Sequence, residues 1–258
     1  MVGRAGQRER VGGRRVVVAG AGGRMGRAAC AAVEAAEDLV LHARVGRDDD
    51  LAAALVDADV LVDLSVPDAS PGNVAAAVAA GVHAVVGTTG WDDERLGVLR
   101  DRLGADPSVG VLIAPNFSVG ALLVTDFAVR AARFFESVEV VELHHPDKVD
   151  APSGTAVRTA RRIAAARREA GLDPAPDATT DALPGSRGAD VDGVPVHAVR
   201  LRGLVAHQEV LLGGPGEYVT LRHDSLDRSS FMPGVLLGVR QVASHPGLPV
   251  GLEHWLDL

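Results

Sequence analysis

The stretch ELHHPDKVDAPSGT, residues 142–155, concentrates side chains able to do chemistry. His144 and His145 are adjacent, Lys148 follows, and Ser153-Gly154-Thr155 closes the block. Lys148 is the only lysine in 258 residues, although lysine and arginine together number 26. A guanidinium keeps its proton, whereas an ammonium that is partly buried or beside another cation can release it. Arginine here could bind an anion; lysine can bind one and also act as a general acid. Adjacent histidines closing a strand point to opposite faces, so one faces a cleft while the other holds a ligand or packs away. Asp150 and Ser153 are both candidates to cap a helix beginning near Thr155, with Pro152 stiffening the approach. The Ser153 and Thr155 hydroxyls and the backbone N–H groups around Gly154 then form a carboxylate site at a helix N-terminus. A carboxylate anchor beside a proton source suits hydride reduction of a C=N or C=C–C=N group. Adjacent His144 and His145 are poor geometry for a shared ion, and no metal site is expected.

A hydride source is written near the start. VVVAGAGGRMG places Gly20, Gly23 and Gly26 at G-x-x-G-x-x-G spacing, with Gly22 between, where a strand passes into a helix. The first glycine permits the tight turn, the next lets backbone approach a pyrophosphate, and the last lets helix pack on strand. Gly20, Ala21, Gly22, Gly23, Arg24 and Met25 are therefore the expected pyrophosphate cradle of a nicotinamide dinucleotide. The acid that usually contacts ribose would close the second strand, where this chain has Gly46 followed by Arg47. Losing that carboxylate removes repulsion against a 2'-phosphate, and Arg47 offers a bidentate donor for one. Arg24 could assist, and Asp48 is close enough to contact ribose instead. NADPH is the expected cofactor, with NADH tolerated. Gly87, Thr88 and Thr89 follow the fourth strand, and Ala114, Pro115, Asn116 and Phe117 follow the fifth. Ligands bind at the carboxyl ends of strands in open α/β sheets, so both loops are placed to hold the nicotinamide ribose and amide.

The elements that must position these groups alternate in the first half. Apolar runs at 14–20, 39–45, 59–66, 82–87 and 109–116 are separated by helical stretches at 24–39, 71–81 and 92–104. Near-continuous apolar strands between helices predict an α/β fold, a Rossmann-like doubly wound parallel sheet. A smaller α+β domain follows. It has helices at 118–135 and 155–170, strands at 137–145, 194–201, 208–213 and 217–225, and a long Pro/Gly/Asp-rich loop at 171–193. A last helix at 229–245 returns to the first domain. The expected division is 1–115 with 229–258 against 116–228, with hinges near Asn116 and at 225–229.

The composition narrows the function. A net charge of -8 gives no footprint for nucleic acid. No run approaches a membrane span. One cysteine, Cys30, excludes a disulfide framework and fits the cytoplasm. The first 15 residues, polar and rich in glycine and arginine, read as a frayed tail and not a secretory signal.

GAGGRMG, GTTG, APNFS and ELHHPDKVDAPSGTA, in this order and at these separations, resemble the dihydrodipicolinate reductase family, and LVAHQEVLLG and LRHDSLDRSSFMPGVLLGVR look like its actinobacterial members. The resemblance runs from about Arg15 to the C-terminus. It implies NAD(P)H-dependent reduction of the dehydrated form of 4-hydroxy-tetrahydrodipicolinate to tetrahydrodipicolinate, in diaminopimelate and lysine biosynthesis. It also implies His144 as proton donor and acceptor, Lys148 as proton donor and His145 as a substrate contact. Ser153, Gly154 and Thr155 would hold a carboxylate of a small dicarboxylate substrate. The implied assembly is a homotetramer joined through the sheets of the smaller domain. Two positions depart from the family pattern: Leu64-Ser65 stands where Phe-Thr is common, and Gly46 replaces the ribose acid. A dehydrogenase acting on aspartate or a sugar would share the cofactor domain but would not need the His-His-Lys block. A non-catalytic NADPH sensor could dispense with the lysine.

Overall fold

The computed structural model describes residues 13–256; the tail expectation falls largely outside them, on residues 1–12. The chain divides into two compact units, residues 13–114 with Val235–Gly251 and Pro115–Gly234 with residues 252–256. Residues 229–234 and 252–256 therefore lie with the second unit.

The first unit alternates β1 (Arg14–Ala19), α1 (Arg24–Glu34), β2 (Leu39–Val45), α2 (Leu51–Ala54), β3 (Val60–Asp63), α3 (Ser70–Ala79), β4 (His83–Val86), α4 (Asp93–Leu103) and β5 (Val111–Ile113). Its five strands are parallel in the order β2-β1-β3-β4-β5. The runs are apolar because both faces are covered: Val16, Val17, Val18, Val60, Leu61 and Val62 are fully buried. The edge strand β2 alternates buried and exposed positions. Strand order reverses at β1, so ligands are expected beyond the carboxyl ends of β1 and β3. The glycine turn sits there. The four-residue α2 is a structural addition, capped by Asp50, that its short Ala-rich sequence did not announce.

The second unit contains α5 (Val119–Ala131), β6 (Ser137–His144), α6 (Gly154–Glu169), β7 (Ala189–Val191), β8 (Val194–Arg200), β9 (Ala206–Gly214) and β10 (Glu217–Ser225). The sheet order is β10-β9-β6-β8-β7, with β6 and β8 parallel and the other neighbours antiparallel. Alternate β6 side chains, Val138 and Val140, pack with Ala128 and Ala132 of the α5 segment and Ala156, Ala160, Ile163 and Ala164 of α6. Those α6 residues recur at helical spacing, leaving arginines on the other faces. Burying Ile163 alone contributes about 2–3 kcal/mol. The end of the expected loop is not loop: Ala189–Val191 forms β7, paired back on Val194–Val196. Asp192 and Gly193 make that tight turn with positive φ.

The last helical stretch is shorter than 229–245. It is α7 (Met232–Gln241), with a tighter 3-10 turn on either side, at Arg228–Phe231 and Val242–Ser244. Val235, Val239 and Val242 are buried, and Gly238 lies where a β-carbon would crowd Val85 and Leu112. The Arg14 guanidinium donates to the carbonyls of Val239 and Arg240, fastening this segment to the start of β1. No helix of the described residues is long and apolar enough to cross a membrane.

Candidate active site

Side chains two apart on a strand share a face. Glu142 and His144 therefore both project from the α5/α6 face of β6. His144 Nδ1 lies 2.6 Å from Glu142 Oε2. Just beyond β6, Ser153 caps α6: its Oγ accepts from the Ala156 N–H at 3.2 Å. Asp150, the other capping candidate, accepts from the Gly154 N–H at 3.3 Å and pairs with Lys148 Nζ at 2.6 Å. Of the two capping candidates Ser153 is the N-cap, and Asp150 accepts from the following N–H. Burial works against the Asp150 charge, but the Lys148 ammonium holds its carboxyl below the usual range.

His144, Ser153 and Thr155 line one pocket of about 320 Å³ together with Asn116, His207 and His223. Asn116, expected beside nicotinamide, places Nδ2 3.5 Å from Thr155 Oγ1. His223 Nε2 is 3.0 Å from Ser118 Oγ, which caps α5 by accepting from the Ala121 N–H. That seryl hydroxyl can donate to His223 Nε2, and burial lowers the His223 pKa. His207 Nδ1 pairs with Asp224 Oδ1 at 2.7 Å, while its Nε2 accepts from the Val205 N–H at 3.1 Å. Gly154, His145 and Lys148 stand outside this lining. His145 Nδ1 is buried and has no hydrogen-bond partner among the described residues, which leaves a polar atom for a ligand.

Glu142 is fully buried. Burial opposes its charge, yet hydrogen bonds from His144 and Arg200 and the Ser153 N–H hold its pKa at about 2. Sequence reasoning passed over Glu142, although its place two residues before His144 was the available signal. Arg200, His207 and His223 carried no local signal.

At the other unit's glycine turn, Gly20 has φ of +75°, and a β-carbon there would lie 2.3 Å from the Leu64 carbonyl oxygen. A β-carbon on Gly26 would lie 2.1 Å from the Gly20 carbonyl oxygen. Gly22 is different: nothing lies within 4 Å of its hypothetical β-carbon. Packing therefore explains Gly20 and Gly26 and leaves Gly22 open to close approach by a ligand. Gly23 is the N-cap of α1 and supplies no side-chain cap to its N–H groups, with Arg24 and Met25 opening the helix. Uncapped N–H groups at a glycine-rich turn fit a pyrophosphate. Gly26→Ala is expected to cost about 2 kcal/mol or more in stability, whereas Gly22→Ala stays within about 0.5 kcal/mol. Thermal melts of both variants check this.

Arg47 is exposed after β2. The carboxylate missing at Gly46 is partly restored by the fold, because Asp49 Oδ2 accepts from the Gly46 N–H at 2.7 Å. Arg24 is also exposed at the turn. Thr89 is exposed, while Thr88 is buried with Oγ1 on the Asp63 carbonyl, which also accepts from the Gly87 N–H. Ala114 is buried and Pro115 exposed. Phe117 is buried, and a β-carbon on Gly234 would meet its carbonyl oxygen at 2.0 Å.

Residues 14–117 match the family model described as dihydrodipicolinate reductase, N-terminus, and residues 120–256 the one described as dihydrodipicolinate reductase, C-terminus. The chain is 66% identical over 246 residues to the 4-hydroxy-tetrahydrodipicolinate reductase of Streptomyces griseus, covering 95% of this chain and 98% of that protein. It is 61% identical over 244 residues to the 4-hydroxy-tetrahydrodipicolinate reductase of Beutenbergia cavernae, covering 95% and 99%. A solved dipicolinate-bound dihydrodipicolinate reductase from Paenisporosarcina sp. TG-14 is similar at 37% identity and a TM-score of 0.82, covering 94% of this chain and 99% of that chain. A probable dehydrogenase from Thermotoga maritima, at 13% identity and a TM-score of 0.61, covers 92% and 91% and shares the fold alone. With both halves of the chain matched and the relatives aligned almost end to end, the chain belongs to the dihydrodipicolinate reductase family.

Proposed function

We propose that this chain is a 4-hydroxy-tetrahydrodipicolinate reductase of diaminopimelate and lysine biosynthesis, working in the cytoplasm. The observation that carries the reading is the convergence of His144, Ser153 and Thr155 on one pocket, in a chain of this family. The substrate is a small dicarboxylate in its dehydrated, cyclic imine form. Ser153, Gly154 and Thr155 anchor one carboxylate at the α6 N-terminus, and His145 contacts the substrate through its unpartnered ring nitrogen. His144 and Lys148 hold and deliver the proton that completes the reduction. A bound reduced nicotinamide supplies the hydride. The Gly20–Met25 turn holds the pyrophosphate, while Gly87, Thr88, Thr89 and Ala114 through Phe117 surround the ribose and amide.

Arg47 favours NADPH by pairing with a 2'-phosphate, and Asp49 at the Gly46 N–H favours some use of NADH. Four copies assemble through the outer face of the second sheet. Tyr218, 77% exposed, shares that face with Leu211, Val141, Leu143 and Val199 by the strand registers. No nucleic acid or membrane enters the proposal.

The test is steady-state oxidation of NADPH and NADH with substrate generated in situ by the upstream condensing enzyme. Turnover is expected with both, and Arg47→Ala lowers the NADPH/NADH preference about tenfold. Tight NADPH binding without turnover would sink the reductase reading and bring the sensor forward.

A further inference from the structure

We propose that Glu142 and Arg200 are positioning residues that lock the proton donor and the substrate-anchoring turn into one unit. The inference rests on the reductase reading above. Both oxygens of the buried Glu142 carboxylate are committed. Oε2 meets His144 Nδ1 at 2.6 Å and accepts from Arg200 Nη1 at 2.7 Å. Oε1 accepts from Arg200 Nη2 at 2.8 Å and from the Ser153 N–H at 2.9 Å. Arg200 Nη2 also donates to the Asp150 carbonyl at 2.7 Å. One carboxylate thus touches the histidine and the cap residue of α6, and its guanidinium partner holds the turn between them.

An ionised carboxylate only accepts hydrogen bonds, so the proton of a neutral His144 must lie on Nδ1. That leaves Nε2 as the nitrogen that exchanges a proton with substrate. An apolar pair of similar volume could bind the sheet as well as a buried ion pair does. It could not fix the imidazole tautomer or hold the Ser153 N–H and the Asp150 carbonyl. The two members act through different neighbours. Glu142 orients the histidine, so its loss falls on kcat. Arg200 holds the turn that carries the carboxylate anchor, so its loss falls on KM.

Glu142→Gln and Arg200→Lys in the full chain test this, read by kinetics and by the imidazole proton resonance. Glu142→Gln is expected to lower kcat about 100-fold while the substrate KM stays within about threefold. The low-field Nδ1–H resonance of His144, identified by its absence in His144→Asn, should move upfield or vanish in Glu142→Gln. A single ammonium cannot serve both the carboxylate and the Asp150 carbonyl in the guanidinium's geometry, so Arg200→Lys raises KM about tenfold with a smaller change in kcat. Wild-type kcat in Glu142→Gln, or a rise in KM alone, overturns the role assigned to Glu142. If Glu142→Gln does not fold, Glu142→Asp keeps the charge but withdraws it from the imidazole. A similar kcat loss there supports the proposal, and unchanged kcat overturns it. If the wild type does not turn the substrate over, the reductase reading fails on its own, and the resonance decides the pairing: its persistence unchanged in Glu142→Gln overturns the inference.

Discussion

Lys148→Arg is expected to lower kcat about 1,000-fold while leaving cofactor affinity and folding near wild type. The substitution retains the positive charge, so it keeps whatever part of the lysine's role is anion binding. A guanidinium keeps its proton at neutral pH. The Lys148 side chain is 22% exposed and pairs with Asp150, which an arginine can also do, so stability should change by no more than about 0.5 kcal/mol. Lys148→Ala provides the comparison. It loses charge and proton together, so it should match the arginine variant in kcat and add a rise in KM. Parallel steady-state kinetics separate the two contributions. If Lys148→Arg keeps kcat within about tenfold of wild type, Lys148 serves as an anion contact and the proton comes from elsewhere. The 2.6 Å pair with Asp150 makes a second comparison useful. Asp150→Asn releases the ammonium and removes a charged acceptor from the Gly154 N–H, so both the proposed proton source and the proposed anchor should feel it.

Acid weakens the second unit most through one buried carboxylate, Glu142. Glu142 has an ordinary pKa of 4.5 and a folded value of about 2. The unfolded chain therefore binds the proton more readily than the folded one. The stabilisation is complete above the unfolded value and is lost as pH falls through the folded value. Between about pH 5 and about pH 2 it amounts to roughly 3 kcal/mol. Asp150, Glu139 and Asp224 are also held below the usual carboxylate range and act in the same direction. Urea unfolding of wild type and Glu142→Gln across this range isolates the Glu142 share. The stability gap between the two should close by roughly 3 kcal/mol on acidification. Parallel profiles would mean that the folded carboxylate gains nothing from His144, Arg200 and Ser153.

Much of the first unit is legible in the sequence because its determinants are local. A parallel strand covered on both faces must be apolar throughout, and Val16–Val17–Val18 and Val60–Leu61–Val62 say so directly. The glycine turn is equally local: Gly20 needs positive φ, and Gly26 must let the helix approach the turn. Ser153 announces the start of α6 for the same reason, since a cap is a bond between near neighbours in the chain. Glu142 was also within reach, because strand periodicity places it beside His144.

What the sequence could not determine depends on non-local pairing. Arg200 is 58 residues from Glu142, and only the parallel register of β6 on β8 sets it opposite His144. His207 and His223 come to the pocket because β9 pairs with β6 and β10 with β9. The short β7 forms because Asp192 and Gly193 turn the chain back on β8. Asp49 restores a carboxylate at Gly46 by a turn that the strand pattern did not show. Local conformation and burial set which residues could do the chemistry. Strand register and turn geometry, which bring distant residues together, decided what holds those residues in place.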